Sequence, residues 1–287
     1  MYKTIFASMT GQSSQRAVLE TALLVSRMFD ATVDCVHVRL DSETMMRLSA
    51  SRPFSTEIFV EEQVKFLERE ALQRAEAAHT MFESFRNSHL EDAGGTGEFP
   101  LRWQSVTGID TDETILRSRA YDLVIIGRDV ETYSLGKSRI GAILMGCGRP
   151  VLIAPERAPK TINGTIVVAW KNCAEAARAL AVALPFLLKA KQVVIAFARE
   201  GKHTSDTEAV VQQLLQNIRR EGCLTDIWEL SEDGRSASDR LRALCLDLNV
   251  DLMIMGAYGH SRLREFVFGG VTSDVIESCA TPVLMFH

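Results

Sequence analysis

Short apolar runs alternate with amphipathic stretches along this chain, and the alternation runs through the sequence twice. In the first pass "YKTIFAS" reads as a strand, and "SSQRAVLETALLVSRMF" as a helix with Val18, Ala22, Val25 and Phe29 on one face. Ser13 or Ser14 is the expected cap of that helix. There follow the strand "TVDCVHV", a helical pattern from about Thr56 to Asn87, and the strand "LRWQSVTG". A short helix near Asp112 to Arg119 and the apolar runs "DLVIIG" and "PVLIAP" complete the pass.

The second pass repeats the order: "TIVVAW", the helix "CAEAARALAVALPFLLKA", "QVVIAFA", the helix "DTEAVVQQLLQNIRREG" and "LTDIWEL". The helix "SASDRLRALCLDLN", "DLMIMG", a helix from near Gly270 and "PVLMF" close it. Apolar strands each followed by a helix predict a parallel sheet covered on both faces. The expected architecture is α/β, with two tandem doubly wound, mainly parallel five-stranded sheets of Rossmann-like type. The expected domains are residues 1–155 and 160–287, with the Pro-containing, basic "PERAPKTING" as linker. "PVLIAP" and "PVLMF" are short apolar edge strands, and an unpaired edge leaves N–H and C=O groups open. They are therefore expected to pair with each other. The first half is longer mainly because of residues 41–57, "DSETMMRLSASRPFSTE", either a lid or, the simpler reading, an unstructured insertion.

Composition narrows the function classes. Of 287 residues, 46% are hydrophobic and 24% charged, ordinary for a soluble globular chain, and the length suits about two domains. A net charge of -5 argues against nucleic acid or an anionic membrane as principal partner. No apolar run approaches a membrane span, and "MYKTIFASMTGQ" carries no leader-like apolar core, so the expected location is cytoplasmic. The six cysteines (Cys35, Cys147, Cys173, Cys223, Cys245 and Cys279) form no CxxC and no zinc-ligand spacing with histidine. They read mostly as small core residues in a reducing compartment.

Candidate chemistry concentrates in "MGAYGHSRLREFVFGGVTSDVIESCATPVLMFH". Ligands of open parallel sheets collect beyond the carboxyl ends of the strands, where strand order reverses, and Gly256 ends such a strand. Glycines there allow positive φ and close approach of backbone N–H groups to an anion. A helix starting near Gly270 adds its N-terminal amides, and His260, Arg262 and Arg264 add donors. This is chemistry suited to phosphate; the plainer alternative is that the glycines only shape a strand-to-helix connection.

"GAYGHSRLREFVFGG" fits the G-x2-G-x9-G-(Ser/Thr) pattern of the universal stress protein family, and the order of strands and helices is similar to that family in both halves. The chain resembles a tandem universal stress protein. The resemblance implies a cytoplasmic stress-response protein that binds ATP, ADP or AMP as a regulatory ligand, in the C-terminal half only. Magnesium is expected only as the nucleotide's companion, and a homodimer is the expected assembly. Carried over, Gly256, Gly259 and Gly269 match the motif glycines, and Gly259 is expected at positive φ. Gly270 stands at the Ser/Thr position and keeps its N–H while losing the hydroxyl, for which Thr272 or Ser273 is the candidate substitute. Met255, Ala169, Lys171 and Val271 complete the implied site.

The departures lie at the end of the first strand of each half. Where the family has Asp-Gly-Ser, the second half has Lys171-Asn172-Cys173, and lysine can only donate where adenine needs an acceptor. Asn172 could accept. The first half has Met9 or Thr10 there, Val130 at the second glycine and a shortened loop, and so resembles a non-binding copy. "GKS" at Gly136–Ser138 lacks the upstream glycine of a P-loop. The rival readings are a scaffold acting through protein partners and a slow ATPase.

Other residues read more plainly. His37 falls inside a strand, and Trp103, Trp170 and Trp228 in or beside strands, where packing is the default. "EEQVKFLEREALQRAEAAH" reads as a solvated amphipathic helix. No Ser-His-Asp arrangement, carboxylate pair or metal cluster can be argued from spacing, so catalysis has little support.

Overall fold

The structure is a computed structural model that describes residues 1–41, 43–44, 46, 57–92, 99–128, 139–198, 204–231, 234–258 and 270–287. The first half runs β1 (Thr4–Met9), α1 (Gln15–Phe29), β2 (Thr32–Arg39), α2 (Glu57–Asp92), β3 (Leu101–Thr107), α3 (Asp110–Ser118), β4 (Leu123–Ile126), α4 (Arg139–Gly146) and β5 (Val151–Ile153). The second runs β6 (Thr165–Trp170), α5 (Ala174–Leu187), β7 (Gln192–Ala198), α6 (Thr204–Arg220), β8 (Thr225–Leu230), α7 (Ala237–Asp247), β9 (Leu252–Gly256), α8 (Val271–Ser278) and β10 (Val283–Phe286).

The ten strands form one sheet in the order β3-β2-β1-β4-β5-β10-β9-β6-β7-β8. Each half contributes a parallel five-stranded block, and the blocks join through β5 and β10, which run antiparallel. The two expected sheets are thus fused, because each edge satisfies the other's open backbone groups. Strand order reverses between β1 and β4 and again between β6 and β9, which marks two rims where a ligand could collect.

Alternation along the strands divides the core between the two faces of the sheet. On one face Ile5, Ala7 and Met9 of β1 lie with Val18 and Phe29 of α1, Phe82 of α2, Phe186 of α5 and Val211 of α6. On the other, Phe6, Val124 and Ile126 lie with Ile143 of α4, Leu241 of α7 and Val275 of α8. Both clusters contain residues of both halves. Where the halves meet, the rings of Tyr2, Phe29 and Phe186 pack at 4.9–5.4 Å between centroids, and Tyr2 donates to Val182 O at 2.5 Å.

Local signals held with some exceptions. Val18, Ala22, Val25 and Phe29 are all buried, as the period of α1 requires. Ser14 sits at the N-cap of α1, yet its backbone is helical and its side chain accepts no capping bond. Helix α4 was not legible in "RIGAILMG", whose two glycines lower helix propensity. Trp228 is largely exposed rather than packed, because β8 is the sheet's edge. Along α2 the apolar Phe66, Leu67 and Leu72 are exposed, so part of its apolar pattern faces outward.

Candidate functional site

The rim of the second half is built from the ends of β6 and β9 and the start of α8. Ala169 lies opposite Met255 in the β6–β9 register, so the strands flanking the order reversal end side by side. From Trp170 the chain turns through the exposed Lys171 and Asn172 to Cys173, the N-cap of α5, whose N–H donates to Lys171 O at 2.8 Å. β9 ends at Gly256, and Tyr258 then takes a left-handed conformation with φ of 51°. Gly270 is the N-cap of α8 with φ of 97° and ψ of −167°, a backbone state open in practice to glycine alone. Among the described residues no side chain caps the first turn of α8, which leaves its amides open to another acceptor. Asp274, in that turn, is drawn aside by Ser238, whose hydroxyl donates to its Oδ2 at 2.9 Å.

Gly256 has a reason that involves no ligand. A Cβ there would lie 2.5 Å from Ala176 N and 2.6 Å from the Glu175 carbonyl carbon, where the first turn of α5 crosses β9. Gly127, which ends "DLVIIG", is in the same position: a Cβ would meet Ser14 Oγ at 2.6 Å and Val18 Cγ2 at 3.1 Å on α1. The matching glycines are therefore helix-on-strand contacts in both halves.

The rim of the first half is filled by its own side chains. Arg139 is 7% exposed; its Nε donates to Asp110 Oδ2, and its Nη2 donates to Ser8 Oγ at 2.6 Å and Asp110 Oδ1 at 3.3 Å. Beside this group His37, buried at 4% exposure, shares a 2.7 Å hydrogen bond between Nδ1 and Met9 O, and Trp103 stacks on its ring at 6.1 Å. Burial pushes the His37 pKa down; Arg39 and Arg74 act in the same direction, against the Met9 carbonyl and Asp110.

Corresponding positions of the second half carry none of this. Arg139 opens α4 as Val271 opens α8, Ser8 is the fifth residue of β1 as Ala169 is of β6, and Asp110 opens α3 as Ala237 opens α7. An internal ion pair in one half is thus replaced by three apolar residues in the other. Trp170 adds a feature that sequence reasoning assigned to packing: its Nε1 is buried without a hydrogen-bond partner among the described residues.

The expected site residues divide accordingly. Met255, Gly256, Ala169, Lys171, Gly270, Val271 and Thr272 are described, and all belong to the ends of β6 and β9 or the start of α8. Gly259, His260, Arg262, Arg264 and Gly269 lie outside the described residues, as do Val130, Gly136–Ser138 and most of the 41–57 insertion. Arg139, Asp110 and Ser8 were missed, since no local signal links positions so far apart. Among the described residues no group of three or more His, Cys, Asp or Glu could hold a metal ion, and no helix is long and apolar enough to cross a membrane.

Comparison with known proteins adds an independent line. Residues 163–287 match the sequence model of the universal stress protein family. A universal stress protein of Synechocystis sp. is 26% identical over 173 residues, a match that spans 58% of this chain and 58% of that relative. Among solved structures, a universal stress protein from Archaeoglobus fulgidus superposes with a TM-score of 0.60 at 16% identity, over 99% of this chain and 95% of that one. A functionally unknown protein from Pseudomonas aeruginosa gives 0.57 at 11% identity, over 99% and 92%. At such identities the structural likeness speaks for the fold.

Proposed function

We propose that this chain, whose residues 163–287 match the universal stress protein family, is a cytoplasmic stress-response protein that binds one adenine nucleotide as a regulatory ligand in its second half. The observation that carries this reading is the inequality of the two rims. The first is neutralised internally by Arg139 and Asp110; the second ends in Gly270 and an uncapped helix.

In this reading the amides of Gly270 and the first turn of α8 hold phosphate, where the helix dipole favours negative charge. Lys171 supplies a donor at the opposite lip, and Thr272 a hydroxyl that Gly270 lacks. Val271 and Ala169 leave open the space that Arg139 takes up in the first half. Without the family's carboxylate, adenine is read through the Asn172 amide and the buried Trp170 N–H. In this reading the ligand acts by occupancy. Domains of residues 1–155 and 160–287 follow from the same reading, with the seam between β5 and β10 inside the chain.

The scaffold alternative draws on one feature, Lys171 in place of a carboxylate. The two separate by acid extraction of the purified protein followed by chromatography of the released material. An adenine nucleotide at up to one equivalent supports the proposal. No release, together with no uptake of added ATP, gives the lead to the scaffold.

A further inference from the structure

Helix α2 is longer than the sheet it covers. Its 36 residues span about 54 Å, against about 23 Å for the 7 residues of β3. Its level is fixed by Gln15 of α1, buried at 1% exposure, whose Oε1 accepts from Gly11 N at 2.8 Å and whose Nε2 donates to Ala78 O at 2.7 Å. The Arg74 backbone packs on Gly11, just past the carboxyl end of β1, where a Cβ would lie 2.5 Å from Arg74 O. Because α2 follows the carboxyl end of β2, its turns before Arg74 reach past the rim, and there Phe66 is 61% exposed.

The turns after Arg74 carry a recess. An open groove of about 730 Å³ lies between α1 and α2, and its walls include Arg16 of α1 with Ala77, Thr80, Met81, Ser84 and Phe85 of α2. Phe66, Gln73, Ala77, Thr80 and Ser84 succeed one another at spacings of seven, four, three and four residues. The exposed ring and the groove therefore share one face of one helix. A projection before the midpoint and a recess after it make that face self-complementary under a two-fold axis, with the two helices antiparallel. With the axis beside Ala75, Phe66 of each copy stands at the level of Ser84 of the other.

The charges obey the same symmetry. On one flank of the face Lys65 and Arg69 precede the axis, and Glu76 and Glu83 follow it. Like flanks meet in an antiparallel pair, so the basic residues of each copy face the acidic residues of the other. On the flank toward α1, Glu70 precedes the axis, and Arg16, next to Gln15, stands at the level of Ala78 beyond it. Local ion pairs of 3.4–3.8 Å hold Glu83 to His79 and Arg86, Glu70 to Arg74, and Arg16 to Glu20. Such exposed pairs exchange at little cost. β5 and β10 already close each other's edge, so a second copy must use another surface.

We propose that α2 is the interface between two copies of this chain, packed antiparallel about a two-fold axis beside Ala75, with Phe66 of each copy seated in the α1–α2 groove of the other.

Sedimentation equilibrium of the full-length protein from about 1 to about 100 µM tests this, a range that suits a contact of one helix pair. The parent should pass from monomer to dimer across it. Phe66→Glu should raise the dimer dissociation constant about tenfold or more, as expected of a central aromatic anchor, with the melting temperature unchanged because Phe66 lies outside the core. Ser84→Arg fills the groove from an exposed position and should do the same. Lys65→Glu should weaken the dimer about fivefold, and adding Glu83→Lys should restore it, since the exchanged charges meet only between antiparallel copies. A parent that stays monomeric throughout overturns the proposal. So does a dimer that Phe66→Glu and Ser84→Arg leave at full strength, as one formed through the outer strands β3 or β8 would be. A double variant no stronger than Lys65→Glu overturns the antiparallel pairing.

Discussion

Leu284 of β10 stands directly opposite Leu152 of β5, with Val283 opposite Ile153 and Met285 opposite Val151. The two leucines occupy the same place in "PVLI" and "PVLM", so the antiparallel seam is symmetric about them. Each half presents to the other the edge it would otherwise leave open, and all six residues are fully buried. The seam and the Tyr2, Phe29 and Phe186 rings join the two halves.

Leu284→Ala should therefore cost about 2–5 kcal/mol, the usual range for truncating a buried leucine. Unfolding followed by circular dichroism and by tryptophan fluorescence should remain coincident in the parent. Separate transitions for the two halves would show that the seam is not what couples them.

Gly256→Ala should destabilise by about 1–3 kcal/mol, because its new Cβ meets the backbone of Glu175 and Ala176 in the first turn of α5, and Gly127→Ala by less, because there the Cβ meets the side chains of Ser14 and Val18. The measurement is the denaturation midpoint of each variant. The larger loss is expected at Gly256, since backbone cannot turn aside as the Ser14 hydroxyl can. If Gly256→Ala keeps its stability and loses only nucleotide, the glycine serves the ligand after all.

Arg139→Met leaves Asp110 without its partner in a poorly solvated rim, and a loss of about 3 kcal/mol or more is expected. Combining it with Asp110→Asn should cost less than the two changes added separately. Nucleotide stoichiometry should not change in either variant. A second equivalent of ATP bound by Arg139→Met would mean that the arginine alone keeps the first half from binding.

His37 gives the chain a pH dependence of known sign. Its folded pKa lies below the ordinary value of about 6.5, so the unfolded state binds more protons and stability rises with pH in that region. The contribution is complete above the unfolded pKa and diminishes as pH falls below it toward the folded value. His37→Asn keeps a donor for Met9 O and has nothing to titrate. The melting temperature should fall more steeply from about pH 7 to about pH 5 in the parent than in His37→Asn. Parallel slopes would remove His37 as the cause.

Much of this was legible in sequence because strand and helix periods are local. The apolar runs ending in Gly127 and Gly256 located β4 and β9, and the matching "PVL" segments foretold the seam. Helix α4 escaped, since Gly141 and Gly146 depress its propensity and packing against the sheet restores it. The candidate rim was readable only where one segment carries it, as at the end of β9 and the start of α8. Arg139, Asp110 and Ser8 come from three elements scattered over 131 positions. Such groups exist only once the sheet has set their neighbours.

The central claim is one nucleotide site per chain, in the second half. Calorimetric titration of the full-length protein with ATP tests it most directly, beside Gly259→Val and with the melting temperature of each. The account predicts about one equivalent bound by the parent and none by Gly259→Val at a similar melting temperature, since a single uncapped rim can hold phosphate. Two equivalents, or undiminished binding by Gly259→Val, would contradict it.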